Sequence, residues 1–293
     1  IYAVRQTGFA MLASSSVQDV MDLTSVSYLS SLKGKIPFVN FFDGFRTSHE
    51  LQKVEVIDMD KVRGLIDKKS LNEFRKKALS INNVTRGTNE NDDIYFQITE
   101  ARNKYYDSLG DIVNSYMEKI NEITGKNYKP FNYYGSSNAD RVIVAMGSVC
   151  ETIKETIDIM NNNGEKVGLV EVHLYRPFSS KYFLDVLPKS VKKMAVLDRT
   201  KENGAKEPLY LDVCEVLNSV KSKIKVVGGR YGLSSKNTTP CHIKSVYDFL
   251  NSKDMFNGFT IGINDDVTNL SLKPSDLNYK SGNMYLTFDK DIL

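Results

Sequence analysis

Arg5-Gln6-Thr7-Gly8-Phe9-Ala10, then Ser14-Ser15-Ser16-Val17-Gln18-Asp19, then Phe41-Phe42-Asp43-Gly44-Phe45-Arg46-Thr47-Ser48-His49-Glu50: these three runs within residues 1–50 decide the fold. They read as half of an α/β layer. A loop with one cation among small residues leads into a helix, and an apolar strand then delivers a polar cluster at its carboxyl end. Ser16 caps the helix and Asp19 sits three residues on, the spacing at which a side chain reaches back to the cap's own amide. Val17, Val20, Met21, Leu23, Tyr28, Leu29 and Leu32 recur at helical spacing, and Gly34 and Pro37 end the helix. Ile36–Phe42 is apolar almost throughout, as expected of a strand buried on both faces. Ligands of open α/β sheets gather at the carboxyl ends of strands, where Asp43, Arg46, Thr47, Ser48 and His49 fall.

Beyond His49 the pattern predicts a charged, mostly helical segment over 60–80 with two apolar stripes, then a turn-rich stretch over 82–93. A long helix is expected over 93–125, with Gly110 as a candidate break. Residues 126–138 read as a packed linker. From Asp140 onward strands and helices alternate. Strands are expected at 142–145, 167–172, 194–197, 224–227 and 259–263. Helices are expected after Ser148 (with Glu151 in a second capping box), after Ser179, from Pro208 and from Thr239-Pro240. Repeated β-α units imply a mainly parallel, doubly wound sheet. The expected fold class is therefore α/β. The expected units are 1–135, 136–264 and a run-out over 265–293.

Composition bounds the function. Hydrophobic residues make up 41% and charged residues 26% of 293, which are ordinary globular values. A net charge of +3 argues for neither nucleic acid nor an acidic membrane surface. No apolar run approaches the roughly 20 residues that a membrane-spanning helix needs. The chain opens on Ile1 without a visible leader, and a cytoplasmic location is expected. Cys150, Cys214 and Cys241 are too far apart for iron–sulfur ligation, which needs about four thiolates in close runs, and reduced thiols are the expectation. The three histidines give no metal-ligand spacing.

Arg5 carries a guanidinium, a group able to grip a planar carboxylate through two parallel hydrogen bonds. A surface or interdomain salt bridge is the competing account. Asp43, Arg46, His49 and Glu50 could do acid–base work, or could equally form a strand-end network or a subunit contact. Gly228-Gly229-Arg230-Tyr231-Gly232 meets neither the dinucleotide nor the P-loop spacing. Its Arg230, with Lys236 and Thr238, could touch an anion such as a coenzyme A phosphate, against a packing turn. His173, Arg176 and His242 read as structural.

The opening runs closely resemble the pyruvate:ferredoxin (flavodoxin) oxidoreductase family. The likeness continues through Thr85–Thr88, Asp93–Gln97, Lys129–Gly135, Val142–Ser148, His173–Ser179, Leu197–Glu202, Val227–Leu233 and Phe259–Asp266. The resemblance implies part of a thiamine-enzyme pyrimidine-binding domain followed by a domain similar to the transketolase C-terminal domain. It implies an internal piece of a much longer enzyme, possibly of the fused NADP-reducing kind. That enzyme would convert pyruvate and coenzyme A to acetyl-CoA and CO2. It would use thiamine diphosphate, Mg2+ and 4Fe–4S clusters, and ferredoxin, flavodoxin or a fused NADP reductase would take the electrons from a homodimer. By the same resemblance Arg5 contacts the pyruvate carboxylate, while Thr7 and Gly8 shape its loop. The activating glutamate falls upstream of Ile1. The chain alone is then expected to hold no cofactor and to be inert. The alternatives are an α/β scaffold or dimerisation module, and an oxidoreductase for another 2-oxo acid.

Overall fold

The computed structural model describes residues 2–77 and 89–278. The readings on Leu79, on Thr85–Thr88 and on the end of the run-out lie outside the described residues. A 3-10 turn over Tyr2–Gln6 leads into β1 (Ala10–Ala13), α1 (Val17–Gly34) and β2 (Phe38–Phe41). A second 3-10 turn, Thr47–His49, follows. α1 begins as expected: the Asp19 amide donates to Ser16 Oγ at 3.1 Å, and the Ser16 amide donates to the Asp19 carboxylate at 3.2 Å. β1 and β2 pair in parallel across this helix. β2 is not buried on both faces. It forms the edge of a three-stranded sheet, and all four of its residues are half-buried.

The expected helix over 60–80 splits into α2 (Met59–Gly64) and α3 (Lys68–Lys76). Asp67 causes the split by capping the second piece, accepting from the Ser70 amide at 2.7 Å. The following helix also divides, into α4 (Tyr95–Glu100) and α5 (Asn103–Thr124). The break falls at Ala101-Arg102, and Gly110 lies buried within α5. α5 packs on α1 through Leu109, Val113, Met117 and Ile120 against Leu23, Val26 and Leu29.

The rest of the chain comprises β3 (Phe131–Gly135), β4 (Arg141–Ala145), α6 (Val149–Asn162), β5 (Val167–Val172), β6 (Leu174–Arg176), α7 (Ser180–Asp185) and β7 (Lys193–Asp198). It continues with α8 (Pro208–Ser219), β8 (Lys225–Arg230), a 3-10 turn over Leu233–Ser235, α9 (Pro240–Asn251), β9 (Phe259–Ile261) and β10 (Ser271–Leu272). Seven strands form one sheet in the order β10-β9-β8-β7-β4-β5-β3, parallel except for β3. α6 and α9 cover one face, while α8 and β1 cover the other.

Two strands change sheets. β3, in the expected linker, pairs with β5 of the large sheet. β6, one residue past β5, crosses to pair antiparallel with β1. His173 is the corner: its carbonyl accepts from the Ala13 amide at 2.7 Å and its Nδ1 meets the Ala13 carbonyl at 3.0 Å. β1 thereby feeds two cores, with Met11 and Ala13 facing the large sheet and Ala10 and Leu12 facing α1 and α5. Leu12 is fully buried, so Leu12→Ala is expected to cost about 2–5 kcal/mol. Ser16→Ala, which removes only the cap, is expected to cost about 1 kcal/mol; urea denaturation measures both.

Candidate functional site

β4 lies between β7 and β5, and the chain leaves it in one direction and returns on the other side. The crevice outside the carboxyl ends of β4 and β7 is therefore the switch point, where an open α/β sheet takes its ligand. Gly147 and Ser148 stand at one lip, Asp198 and Arg199 at the other. The occupant is a side chain of the first unit. The Asp43 carboxylate accepts from the Ser148 amide at 2.7 Å and from the Ser148 hydroxyl at 2.6 Å. Its other oxygen lies 2.7 Å from the Arg199 guanidinium.

Each partner has a physical reason. Ser148 opens the helix α6, whose free amides and aligned dipoles favour a carboxylate. Gly147 has φ +80° and stands so close that a Cβ there would lie 2.7 Å from the Asp43 oxygen. The expected Ser148–Glu151 capping box does not form. Ser148 is itself helical and its hydroxyl goes to Asp43, while Glu151 pairs with Lys154. Arg199 is fixed in turn by the Gly232 carbonyl at 3.0 Å and the Ser235 hydroxyl at 3.1 Å.

The rest of the strand-end cluster divides. Arg46 donates to the Ser235 carbonyl and to Asn237, both at 3.2 Å, so with Asp43 it forms a strand-end network. His49 is exposed, stacks on Phe45 and meets Ser48 at 2.7 Å; Glu50 is exposed beside Gln52. Arg230 is paired with the buried Glu207 at 3.2 Å. Arg176 grips Asp212 through two hydrogen bonds at 2.9 and 3.2 Å, and His242 Nδ1 accepts from the Thr239 amide at the start of α9. Between the β2-end loop and the large sheet lies a hollow of about 280 Å³ lined by Ser15, Arg46, Ser148, Arg199, Tyr231 and Lys236.

Arg5 stands on the other side of Asp198. It sits in the Tyr2–Gln6 turn, with its side chain 21% exposed and its guanidinium 3.9 Å from Glu202, just past the carboxyl end of β7. Its one hydrogen bond among the described residues runs to the Tyr2 carbonyl at 3.4 Å, which leaves most of its donors free for a carboxylate. Thr7 closes the turn by donating to the Val4 carbonyl, and the Tyr106 hydroxyl donates to the Gly8 carbonyl at 2.8 Å. Gly8 has φ +86°, a conformation that glycine adopts without strain.

Two buried carboxylates on strands of the large sheet escaped the sequence reading. Glu171, within β5, accepts from the Ser15 hydroxyl and from Lys154 at 2.9 Å. Burial opposes its charge, but His173, Lys154 and the Ser15 hydrogen bond outweigh burial and hold it below the usual carboxylate range. Asp198 accepts from the amides of Leu209 and Tyr210 at 3.0 and 3.1 Å and from the Tyr2 hydroxyl at 3.4 Å. Burial pushes its carboxyl up to about 7 against the pull of those amides. Both residues follow or interrupt apolar strand runs, which is the signal that could have found them.

Among the described residues no group of three or more His, Cys, Asp or Glu side chains is placed to hold a metal ion, and no helix is long and apolar enough to cross a membrane. The buried side-chain oxygens without partners, Ser30, Thr99, Ser252 and Thr260, do not line the Asp43 crevice. The crevice groups satisfy one another, so the described residues do not by themselves fit a diphosphate with its metal ion.

These features define an α/β chain of a small and a large sheet, with an arginine loop beside the carboxyl ends of the large sheet's strands. Residues 1–118 match the family model described as pyruvate flavodoxin/ferredoxin oxidoreductase, thiamine diphosphate-binding, and residues 139–243 match pyruvate:ferredoxin oxidoreductase core domain II. A pyruvate-flavodoxin oxidoreductase of Enterobacter agglomerans is 56% identical over 94% of this chain and 24% of its own length. That of Nostoc sp. (strain ATCC 29151 / PCC 7119) is 48% identical over 93% of this chain and 68% of its own length. The solved 2-oxoglutarate:ferredoxin oxidoreductase of Magnetococcus marinus aligns at 14% identity with a TM-score of 0.49, over 82% of this chain and 42% of that one. The chain belongs to the pyruvate flavodoxin/ferredoxin oxidoreductase family. It spans about a quarter of the length of the curated relatives from Enterobacter agglomerans and Moorella thermoacetica, 24% in each case.

Gly147→Ala is expected to lower stability by about 1–3 kcal/mol, since it combines a strained backbone with a methyl against Asp43; thermal denaturation reads it. Asp198 adds a pH dependence. Its folded value of about 7 lies above the unfolded value of about 3.9. Its contribution therefore favours the fold fully below about pH 4 and is lost as pH rises through about 7. Urea midpoints across that range should fall less steeply in Asp198→Asn than in the parent chain.

Proposed function

We propose that this chain is the substrate-holding part of a thiamine diphosphate-dependent oxidoreductase acting on pyruvate, with Arg5 as the grip on the substrate carboxylate. The overall reaction of the whole enzyme is pyruvate + coenzyme A → acetyl-CoA + CO2 + H+ + two electrons. Thiamine diphosphate supplies the decarboxylation chemistry when bound, and the described residues do not complete its site. The observation that carries the reading is the Arg5 guanidinium. It is one of the residues of the Arg-Gln-Thr-Gly run, it is held beside the carboxyl end of β7, and most of its hydrogen-bond donors are unused among the described residues. A planar fork with free donors, turned by its own backbone toward strand ends, is suited to a small 2-oxo acid.

Ferredoxin, flavodoxin or a fused NADP reductase takes the electrons in this reading, through 4Fe–4S clusters that the three separated cysteines do not supply. The whole enzyme works as a cytoplasmic homodimer. In this reading residues 1–135 and 136–264 are its two units, with β3 and β6 exchanged between them, and the run-out over 265–293 first lends β10 to the edge of the large sheet.

The test is a chimera in which this chain replaces the matching segment of the Enterobacter agglomerans enzyme. It is expected to form acetyl-CoA from pyruvate and to reduce flavodoxin. Arg5→Ala should lower kcat/KM for pyruvate about 10²- to 10³-fold, the worth of one or two charge-assisted hydrogen bonds, and leave the KM for coenzyme A unchanged. An Arg5→Ala chimera with parental kcat/KM for pyruvate contradicts the assignment. So does turnover by the 293-residue chain alone with thiamine diphosphate, Mg2+ and an electron acceptor.

A further inference from the structure

Only two weak contacts aim the Arg5 side chain among the described residues, a 3.4 Å hydrogen bond to the Tyr2 carbonyl and a 3.9 Å approach to Glu202. Both contacts are long and sit at the tip of a long, flexible side chain, so the direction of the guanidinium follows the backbone of the Tyr2–Gln6 turn. Tyr2 is far better held. Its ring packs against the core on one face of the large sheet, edge-on to Tyr175 with centroids 6.3 Å apart, and this packing sets its hydroxyl 3.4 Å from the Asp198 carboxylate. Asp198 in turn is fully buried at the end of β7 and held by two successive amides at the start of α8. The rigid sheet of the second unit thus reaches the arginine loop of the first through one phenol.

We propose that Asp198 is a positioning residue for Arg5, acting through Tyr2: it holds the Tyr2–Gln6 turn in the orientation that presents the guanidinium to a substrate carboxylate. The same stretch of chain serves both loops of the first unit. Asp198 holds Tyr2, Arg199 holds Asp43, and Glu202 faces Arg5. The short loop after β7 therefore sets the substrate loop and the β2-end loop relative to one another. This inference rests on the assignment of Arg5 to the substrate carboxylate.

The chimera described above tests it, with the KM for pyruvate, kcat, the KM for coenzyme A and the melting temperature read together. Tyr2→Phe keeps the ring and loses the hydroxyl. It should raise the KM for pyruvate about five- to tenfold, the worth of one net hydrogen bond, with kcat, the coenzyme A KM and the melting temperature near parental. Asp198→Asn keeps an acceptor for the Tyr2 hydroxyl and should restore most of the pyruvate affinity that Asp198→Ala loses. In the Tyr2→Phe background, Asp198→Ala should raise the pyruvate KM no further. A Tyr2→Phe enzyme with parental KM for pyruvate, or effects of the two substitutions that multiply, overturns the proposal. If Arg5→Lys leaves the pyruvate KM at the parental value, the underlying assignment falls, and this inference with it. If Arg5→Lys raises it and Tyr2→Phe does not, only the inference falls.

Discussion

The Asp43 carboxylate, shared between the amide and hydroxyl of Ser148 and the guanidinium of Arg199, is the contact on which the arrangement of the two units depends. A doubly wound sheet carries a ready anion site at its switch point, made of a helix N-terminus and whatever cation the neighbouring strand end provides. Here that site is filled from within the chain. The positive end of α6 and the charge of Arg199 serve to dock the first unit. Both side chains of the pair are 20% exposed, so screening by water is limited. The pair belongs nearer to buried ion pairs, where loss of one partner costs about 3–5 kcal/mol, than to surface pairs worth about 0–1 kcal/mol.

The covalent path reinforces that docking. β6 leaves the large sheet after a single residue, His173, and completes the small sheet against β1. β3 does the reverse, bordering the large sheet from the side of the chain that carries α5. β1 lies between two cores and is buried along its whole length. Neither unit can shift on the other without disturbing strand pairing, the Asp43 crevice and the Tyr2–Asp198 contact together. Arg5 benefits from this stiffness, because Tyr2 and Val4 of its turn pack against the core of the large sheet.

Much of the fold was legible in the sequence where one local signal sufficed. The Ser16–Asp19 box placed α1 correctly, and Pro208 and Pro240 marked the first turns of α8 and α9. The five parallel strands after Asp140 stood out because each is an apolar run between turn residues. Two misreadings came from long-range pairing, whereas the helix over 60–80 was split by a local cap, Asp67. Phe131–Gly135 carries aromatic and polar residues that suit a linker, yet it finds a partner in β5. Ser148 has the spacing of a cap, but Asp43, more than a hundred residues away, claims its hydroxyl. Arg5, Asp43 and Arg46 stood in recognisable strand-end or loop positions, but the partners of Asp43 and Arg46 came only with the fold. The buried acids Glu171 and Asp198 were hidden because their partners, Ser15 and Lys154 in one case and Tyr2 with the α8 amides in the other, are brought together only by the fold.

A double-mutant cycle on Asp43→Ala and Arg199→Ala, followed by urea denaturation, tests the dependence of the two units on this one contact most directly. The two losses should fall short of adding by about 1–3 kcal/mol, the coupling expected of a poorly solvated charge pair that shares its partners. Losses that add to within about 0.5 kcal/mol would contradict it, leaving the shared strands alone to hold the units together.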